Sequence, residues 1–485
     1  MKFRLLFILS VVLVFSACRE DKVSDDPTLR LSFSADTIAF DTVFTAQGST
    51  TAQFIVYNRN ANAVVISRIW QDDGNSFKVN IDGESDLTRT NDWQLRGHDS
   101  LIVFVKVFIN PQNANSPVLV EDNLHFAVNG KTQSVHLEAY GQDVHLIKTK
   151  ARLTVRDSYT FEADKPYLIF DTFAVRNTTT FKPGARLYFH NDASLLAYGS
   201  VDARGTLEAP ITLQGDRIDR LYDSVPYSYV SGMWGGVYLM DEKAAPAKNY
   251  MLDYVEILSA NVGLFCFSEK EDNLPLLTLT NSRIHNHAVY GLVVQRMNAD
   301  VINCELSNAA AYCAYLSGGR HRFIHSTIAS YFNATTVRIQ PTPREDVAAV
   351  YINNISKNNV PTDASFQNCI VTGVRKNNLL VATALPKYYE DTIAHNYLKA
   401  DTVTTVAAFG NIYWQEDDTT AVFRNTFYKY KEYIYYDFRL DSLSPARGIA
   451  DSATAARYPL DRFGKPRIRF TANDTIRPDA GCYQY

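Results

Sequence analysis

Short apolar or alternating runs of strand length recur along residues 29–143, and turn-forming residues separate them. Alternation of apolar and polar positions over five to nine residues is the pattern of a half-buried β-strand. Seven such runs occupy 38–44, 52–57, 63–69, 77–81, 101–109, 124–128 and 134–140. The pair Asn129-Gly130 lies between the last two runs, and both residue types tolerate a positive φ, so a tight hairpin is predicted there. Seven strands in a segment of this length predict a small β-sandwich.

From about residue 148 the chain changes to short strands that repeat at a fixed interval. Ile284, Leu306 and Ile328 follow one another at steps of 22 residues, and the run 290–294 recurs with the same step at 312–316. A repeat of this length is one coil of a β-solenoid. Because a coil cannot bury its own inner face, coils must stack about 4.8 Å apart, and equivalent side chains then form ladders.

The cysteines of the repeat region fit such ladders. Ser282, Cys304 and Ser326 occupy one predicted column, and Cys369 rejoins it. No C-x-x-C pair and no matching His spacing accompanies them, so we expect small buried core residues and neither a metal site nor disulfides. The other three cysteines downstream of residue 18 are expected to be core residues as well.

The phrases of the predicted sandwich resemble a known type of domain. They are Phe54-x-Val56-x-Asn58, then Val65-Ile66-x-x-Ile69, and at the end Val135-x-Leu137-x-Ala139-x-Gly141. This pattern resembles the ASH/Hydin-like immunoglobulin domains of Bacteroidetes lipoproteins. The resemblance implies a spacer or docking module. No His, Cys or carboxylate cluster in this span points to chemistry.

The repeat region resembles another family. Its phrases are Gly199-Ser200-Val201-Asp202-Ala203-Arg204-Gly205-Thr206 followed by Pro210-Ile211, and then Trp234-Gly235-Gly236-Val237-Tyr238-Leu239. They resemble the first coils of right-handed parallel β-helix proteins of the pectate-lyase-like superfamily, and Pro478-Asp479-Ala480-Gly481-Cys482-Tyr483 is similar to the closing phrase of that family. The resemblance covers about residues 150–485. It implies a solenoid whose open end is covered by a C-terminal capping segment.

The N-terminus indicates export and lipidation. Lys2 and Arg4 precede an apolar stretch, and Phe15-Ser16-Ala17-Cys18 resembles the lipobox of bacterial lipoproteins, which implies that Cys18 is acylated and that the membrane is a partner through this anchor. The polar residues 18–28 lack periodicity and predict a flexible tether. Their acidic character resembles the surface-export signal of Bacteroidetes lipoproteins, which implies a cell-surface position on the outer membrane; a periplasmic face is the alternative.

Composition and charge narrow the classes of function. The chain is 46% hydrophobic and 21% charged, which is typical of a globular protein. The formal net charge is −4, so no basic footprint for nucleic acid is present. The apolar stretch of residues 5–17 is too short to cross a membrane, and no later stretch is longer.

Two basic groups are the candidates for binding an acidic glycan. One contains His285 and His287 beside Arg283, and the other is Arg320-His321-Arg322 with His325. Both fall near turns of adjacent predicted coils, so they could line one face; solvated turn residues are the alternative interpretation. A lyase needs cationic groups to neutralise a uronate, and a base.

Carboxylates and aromatic residues offer further candidates. A hydrolase needs two carboxylates at a set separation, and Asp253 with Glu256 or Asp241 with Glu242 could supply them, although adjacent strand residues face opposite ways. The Tyr-rich stretch 427–438 could stack sugars or form aromatic core near the C-terminal segment. No cofactor is predicted.

The sequence therefore predicts an all-β protein, an immunoglobulin-like β-sandwich followed by a right-handed parallel β-helix. The predicted segments are a signal peptide at 1–17, a tether at 18–28, the sandwich at 29–145, the β-helix at 146–435 and the capping segment at 436–485. The predicted function is a lipid-anchored, non-enzymatic binding or scaffold component of the outer membrane, with a glycan or an outer-membrane protein complex as partner. The alternative is a polysaccharide lyase or glycoside hydrolase acting on an acidic glycan.

Overall fold

The computed structural model describes residues 22–45, 47–89, 91–221, 225–243, 248–332, 347–354, 360–383, 393–400, 409–415, 418–427, 436–470 and 475–485. The predicted signal peptide and Cys18 lie outside these ranges. The chain divides into two compact units, Met1–Asp143 and Val144–Tyr485, and both are built almost wholly of strands. Among the helices within the described ranges, none combines the length and the apolar character that crossing a bilayer requires.

Nine described strands of the first unit form two sheets, S1 and S2. The strands of S1 are, in spatial order, Ser32–Phe33, Thr51–Tyr57, Ser100–Val107 and Phe77–Ile81. The strands of S2 are, in spatial order, Thr37–Phe44, Lys131–Gln142, Val118–Val128, Val64–Gln71 and Trp93–Leu95. All seven predicted strands are present.

Alternation along the strands builds the core of the first unit. In Ser100–Val107 every second side chain is buried, and Val103 packs in one cluster with Leu137 of S2. The two sheets therefore enclose a shared core and form a β-sandwich. The hairpin between the two longest strands turns at Asn129 and Gly130, whose φ angles are 48° and 74°, as predicted.

The second unit is a parallel β-helix of three sheets, H1, H2 and H3, which the chain visits in that order from the coil that begins at His145 to the coil that begins at Ile370. Sheet H1 contains His145–Ile147, Tyr167–Ile169, Arg186–Phe189, Ile211–Gly215, Val255–Leu258, Arg283–His287, Glu305–Ala309, Thr327–Ser330, Ile370–Gly373, Tyr397–Leu398 and Tyr413–Trp414. Sheet H2 contains Leu153–Arg156, Thr172–Val175, Ser194–Ala197, Trp234–Asp241, Ala260–Ser268, Tyr290–Gln295, Tyr312–Ser317, Ala348–Asn354 and Leu379–Thr383. Sheet H3 contains Tyr159–Phe161, Thr178–Phe181, Ser200–Arg204, Asn249–Asp253, Leu276–Thr280, Asn298–Ile302, Gly319–Ile324, Thr362–Gln367, Ile393–Ala394 and Phe409–Gly410.

The remaining elements are short. They are the strand pairs Arg220–Leu221 with Val225–Pro226, Phe423–Asn425 with Asp437–Leu440, and Arg469–Phe470 with Thr475–Ile476, the 3-10 turns Leu87–Arg89 and Tyr227–Tyr229, and the helix Ser452–Arg457.

The register of the coils agrees with the predicted repeat. Ile284 pairs with Leu306, and Leu306 pairs with Ile328, so the step of 22 residues is one coil of the helix. Aromatic side chains in register stack in the same way, with ring centroids of the paired Phe323 and Phe366 4.8 Å apart. The predicted fold class, a β-sandwich followed by a parallel β-helix, is confirmed.

The predicted ladder of small residues is also present. The backbone N–H of Cys304 donates to Ser326 Oγ at 3.3 Å, and that of Ser326 contacts Cys369 Sγ at 3.5 Å. The five cysteines of the described ranges are buried and unbridged, and burial raises the pKa of the Cys369 thiol to about 12. They act as core residues, as expected.

A column of left-handed residues forms the corner between H3 and H1. The φ angles are 49° at Asn281, 60° at Asn303, 46° at His325 and 57° at Asn368. Asn tolerates this conformation better than most residues, and its amide can bond to the next coil. Asn303 Nδ2 donates to Asn281 Oδ1 at 3.1 Å, which links one coil to its neighbour.

The C-terminal segment 436–485 lies against the outer face of H1. Tyr483 donates to Glu305 Oε2 at 2.5 Å, and Arg462 donates to Glu256 Oε1 at 2.7 Å. Glu256 and Glu305 occupy equivalent positions on strands two coils apart. We expected this segment to cap the open end of the solenoid, whereas these contacts run along its side.

Candidate functional site

The basic groups that the sequence put forward do not meet on one surface. His321 points into the core between Ala299 and Ala364 of the neighbouring coils, and burial lowers its pKa to about 3. Arg320 and Arg322 lie on the opposite, exposed face of the same strand, because strand side chains alternate. The guanidinium of Arg322 is bound to both oxygens of Asp300, at 3.0 and 2.8 Å.

The other three imidazoles are enclosed in different places. His325 lies in the corner column, where burial and then Arg467 lower its pKa well below the ordinary value. Burial likewise lowers the pKa of His287 to about 3, and its Nδ1 accepts from the backbone N–H of Ala260. His285 lies on the outer face of H1, but the C-terminal segment covers it. The predicted basic glycan face is therefore not formed by these residues, because their neighbours in the coil stack and the C-terminal segment exclude solvent from the imidazoles.

A buried ion-pair network surrounds His285. Arg283 Nε donates to Glu305 Oε1 at 2.9 Å, and Ser307, which contacts His285 Nδ1 at 2.7 Å, donates to the same oxygen at 2.6 Å. Burial alone would raise the pKa of Glu305, but Arg283, His285, Arg462 and the hydrogen bond from Ser307 together outweigh it and hold that pKa at about 2. With Tyr483 bound to the second oxygen, this carboxylate fastens the C-terminal segment to the β-helix.

The candidate carboxylates are engaged in ion pairs or hydrogen bonds, or point apart. Asp241 is buried between Lys248 and Lys270, at 3.2 and 3.4 Å, whereas its neighbour Glu242 is exposed. Asp253 accepts from Thr280 Oγ1 at 2.7 Å.

Of the Tyr-rich stretch, residues 428–435 lie outside the described ranges. Tyr436 and Phe438 pack in the apolar cluster between the C-terminal segment and H1, so these two are aromatic core. Phe427, at the other end of the stretch, is exposed.

A feature that the sequence analysis missed runs along the outer face of H2. Nine successive coils place an apolar side chain at the same outward position, and we name this column the apolar track. Its members, in register from the first coil onward, are Val155, Ala174, Leu196, Tyr238, Phe265, Val293, Tyr315, Tyr351 and Leu380. Equivalent side chains of adjacent coils lie about 4.8 Å apart. The track is therefore an apolar strip on one sheet, in which Ala174 and Val293 are buried and the other seven side chains are half-buried or exposed.

The first coils of the track form the floor of a groove of about 860 Å³. Val155, which is 37% exposed, lies on this floor with Ala174 and Leu196. The walls carry polar and charged groups, among them Arg176, Ser200, Glu242 and Lys248. An apolar floor with a few polar groups around it is the usual composition of a ligand site.

Aromatic rings dominate the middle of the track. The centroids of Tyr238 and Phe265 lie 5.7 Å apart, and those of Tyr315 and Tyr351 lie 5.5 Å apart. Tyr238, Phe265 and Tyr315 are half-buried, so part of each ring faces outward. Rings held in this way can stack against flat apolar faces of a ligand.

Polar side chains lie next to these rings on the same face. Gln295 and Ser317 follow Val293 and Tyr315 by two positions on their strands, and each pairs with the other in register. Arg296 lies over the ring of Phe267 at 4.7 Å at the end of the neighbouring strand. The strip thus offers ring faces and hydrogen-bonding groups side by side. A sequence signal for it existed: strands such as Trp234–Asp241 are apolar at outward as well as inward positions.

Comparison with known proteins adds little. No protein-family model matches the chain, and no curated protein matches it. Among solved structures it is similar to a protein of unknown function from Porphyromonas gingivalis W83, with 10% identity, a TM-score of 0.18, and coverage of 26% of this chain and 50% of that one. It is also similar to a family 123 glycoside hydrolase from Clostridium perfringens, with 9% identity, a TM-score of 0.18, and coverage of 25% and 30%. The chain spans half or less of the length of these structures, and at such TM-scores neither similarity bears on its fold or function.

Proposed function

We propose that this protein is a lipid-anchored, non-enzymatic binding component of the outer membrane that holds a glycan chain along the apolar track. The continuity of that track over nine coils is the observation that carries the proposal. Equivalent side chains repeat about every 4.8 Å along the solenoid axis, so a chain ligand lying parallel to that axis would meet a track side chain at each coil except those of Ala174 and Val293, which are buried.

The chemistry of the strip favours a glycan over another elongated ligand. Sugar rings have apolar faces and hydroxyl edges; the track carries the rings of Tyr238 and Phe265, and the polar Gln295 and Ser317 lie in the adjacent column on the two following coils. The walls of the groove add hydroxyl, guanidinium and carboxylate groups. Aromatic side chains supply large contact areas at a low cost in conformational entropy, which suits a preformed platform.

The placement of the ionisable residues supports binding without turnover. The imidazoles weighed as catalytic bases are buried in the core or beneath the C-terminal segment, and the candidate carboxylates are held in ion pairs or hydrogen bonds or lie apart. Of these groups Glu242 alone lines the 860 Å³ groove; it follows Tyr238 by four positions, just after the same H2 strand, and no second carboxylate lies in the described lining of the groove.

The position in the cell rests on the sequence. The lipobox-like Phe15-Ser16-Ala17-Cys18 and the acidic tether support anchoring to the outer membrane, with the sandwich as an immunoglobulin-like spacer and the cell surface as the exposed side. Protease treatment of intact cells tests this: loss of the full-length band supports surface exposure, and protection until the outer membrane is opened supports the periplasmic face.

Binding can be tested by affinity electrophoresis in gels that contain polygalacturonate, xylan or dextran. We expect at least one of these polysaccharides to retard the protein, and the double variant Tyr238→Ala/Phe265→Ala to weaken the effect at least ten-fold, which is about 1.4 kcal/mol. The matched control is Phe104→Ala/Tyr140→Ala, which removes two exposed rings from the sandwich and should bind as the unmodified protein does.

Three outcomes would contradict the proposal. They are equal binding by the track variant, release of unsaturated or reducing ends from the bound polysaccharide, and crosslinking of the track in cells to an outer-membrane protein in place of glycan. The second outcome would favour a lyase or hydrolase, and the third would favour a structural partner of a protein complex.

A further inference from the structure

A cluster of three metal-ligating side chains lies on the outer face of the sandwich, in the first unit. His136 and Glu138 stand on Lys131–Gln142, and Glu121 stands on the paired strand Val118–Val128. One ligand atom of each lies within 4.8 Å of the others, and in the part of the chain that the structure describes no other His, Cys, Asp or Glu residues form such a group of three. The sequence analysis had found no cluster in this span because the ligands come from two strands.

The register forces the two carboxylates together. Glu121 is directly opposite Glu138 in the antiparallel pair, and like charges in that arrangement repel. His136 Nε2 lies 3.3 Å from Glu121 Oε1 and 3.8 Å from Glu138 Oε2, between the two. A cation held by all three groups would relieve the repulsion.

The hydrogen bonds behind His136 direct its other nitrogen toward the carboxylates. Asn123 Nδ2 donates to Asp72 Oδ2 at 2.9 Å, which leaves Asn123 Oδ1 as an acceptor facing His136 Nδ1 at 3.2 Å. Nδ1 therefore carries the hydrogen, and in the neutral imidazole Nε2 presents a lone pair to Glu121 and Glu138. A second-shell acceptor that fixes the tautomer in this way is the usual support of a metal-bound histidine.

The distances match the size of a small divalent ion. Ligand atoms about 2.1 Å from a tetrahedral Zn²⁺ lie about 3.4 Å from one another. The separations of His136 Nε2 from the two carboxylates, 3.3 and 3.8 Å, are close to that value, and the two carboxylate oxygens lie within 4.8 Å of each other. One imidazole nitrogen and two carboxylate oxygens suit Zn²⁺ better than Ca²⁺ or Mg²⁺, which prefer oxygen alone.

We propose that Glu121, His136 and Glu138 form a binding site for a divalent transition-metal ion of the Zn²⁺ class, with Asn123 and Asp72 orienting the histidine. Three protein ligands leave one position for water or for a ligand from another molecule. The site is partly exposed, with side-chain accessibilities of 54% for Glu121 and 35% for His136, so an ion can reach it without any movement of the strands.

The test uses the full chain, stripped of metal with a chelator and titrated with Zn²⁺ in competition with a chromogenic indicator. We expect one saturable site that His136→Ala and Glu138→Gln weaken at least 100-fold and ten-fold, and that Asn123→Ala weakens about ten-fold. The matched control is His145→Ala, because His145 forms an equally exposed pair with the single carboxylate of Asp164, at 2.9 Å. It should leave the site unchanged.

A spectroscopic measurement separates metal ligation from loss of structure. Co²⁺ bound to the protein should show the visible absorption of a four-coordinate nitrogen–oxygen site, and His136→Ala should abolish it while the circular dichroism stays the same. The proposal is overturned if the unmodified chain has no saturable site, or if the site and its Co²⁺ absorption persist in His136→Ala. Retention in polysaccharide gels is independent of this site, so either proposal can fail alone.

Discussion

Replacing Glu305 by Gln perturbs the group that fastens the C-terminal segment to the β-helix. Glu305 is 2% exposed, and its carboxylate accepts hydrogen bonds from Arg283, Ser307 and Tyr483. Gln keeps the shape of the side chain and removes its charge. Arg283 is then left in a buried site without its counter-charge, which is costly because water cannot replace the lost partner.

Two independent arguments give similar values for the free energy that Glu305→Gln removes. The pKa of Glu305 is held at about 2 against 4.5 for the free side chain, and at about 1.36 kcal/mol per pH unit the difference corresponds to about 3 kcal/mol. Removing one partner of a buried ion pair costs about 3–5 kcal/mol. We therefore expect Glu305→Gln to lower the free energy of opening of the C-terminal segment by about 3–5 kcal/mol.

Hydrogen exchange followed by mass spectrometry measures this opening through peptides that cover 478–485 and 305–309. These peptides report on the β-helix and its C-terminal segment and not on unfolding of the sandwich. The matched control is Asp300→Asn, which breaks the more exposed pair with Arg322 and should cost about 0–1 kcal/mol. A loss for Glu305→Gln as small as that of the control would refute the reasoning. The double variant Arg283→Met/Glu305→Met should lose less than Glu305→Gln, because no charge is left alone.

Three further predictions concern stability. On acidification, hydrogen exchange in peptide 305–309 should accelerate as the pH falls from about 4.5 toward 2. The pKa of Glu305 is depressed in the folded protein, so the stabilisation by its charge is present above the unfolded pKa and is lost as the pH falls toward the folded pKa. The same acceleration in Glu305→Gln would contradict this. Gly236→Ala should destabilise the β-helix by more than about 2 kcal/mol in urea unfolding, because φ at this residue is 130° and a Cβ would lie 1.8 Å from the carbonyl oxygen of Val262. Gly410→Ala introduces no clash and should cost less than about 1 kcal/mol. Equal losses for the two variants would count against this explanation. Cys304→Ser should shift the melting temperature by no more than a few degrees, because Ser already occupies this column at the neighbouring coils, and a collapse of the fold would mean that the thiol is required.

The repeat and the strand pattern were readable from the sequence because both arise from local periodicity. The step of 22 residues between Ile284 and Leu306 predicted the register of H1, and the pair Asn129-Gly130 predicted the hairpin in S2 of the sandwich. Ladder positions such as Cys304 follow from that register alone.

The sites could not be read in the same way, since they depend on which residues become neighbours. In the sequence His321 lies between two arginines, which suggested an exposed basic group, but the alternation of side chains along the strand places His321 in the core. His285 is outward-facing, and it is buried by Tyr229 together with the return of a segment more than 150 residues later. The cluster of Glu121 with His136 depends on the pairing of two strands about the predicted Asn129-Gly130 turn, so neither strand shows it when taken alone.

Oxidative footprinting of side chains tests the central claim most directly. The protein would be labelled alone and in the presence of the polysaccharide that retards it, and modification would be read at each aromatic residue. We predict that the ligand protects Tyr238, Phe265 and Tyr315 on the track and leaves Phe104 and Tyr140 on the sandwich unprotected. Protection that spares the track while the polysaccharide is bound would contradict the proposal that the outer face of H2 holds the glycan.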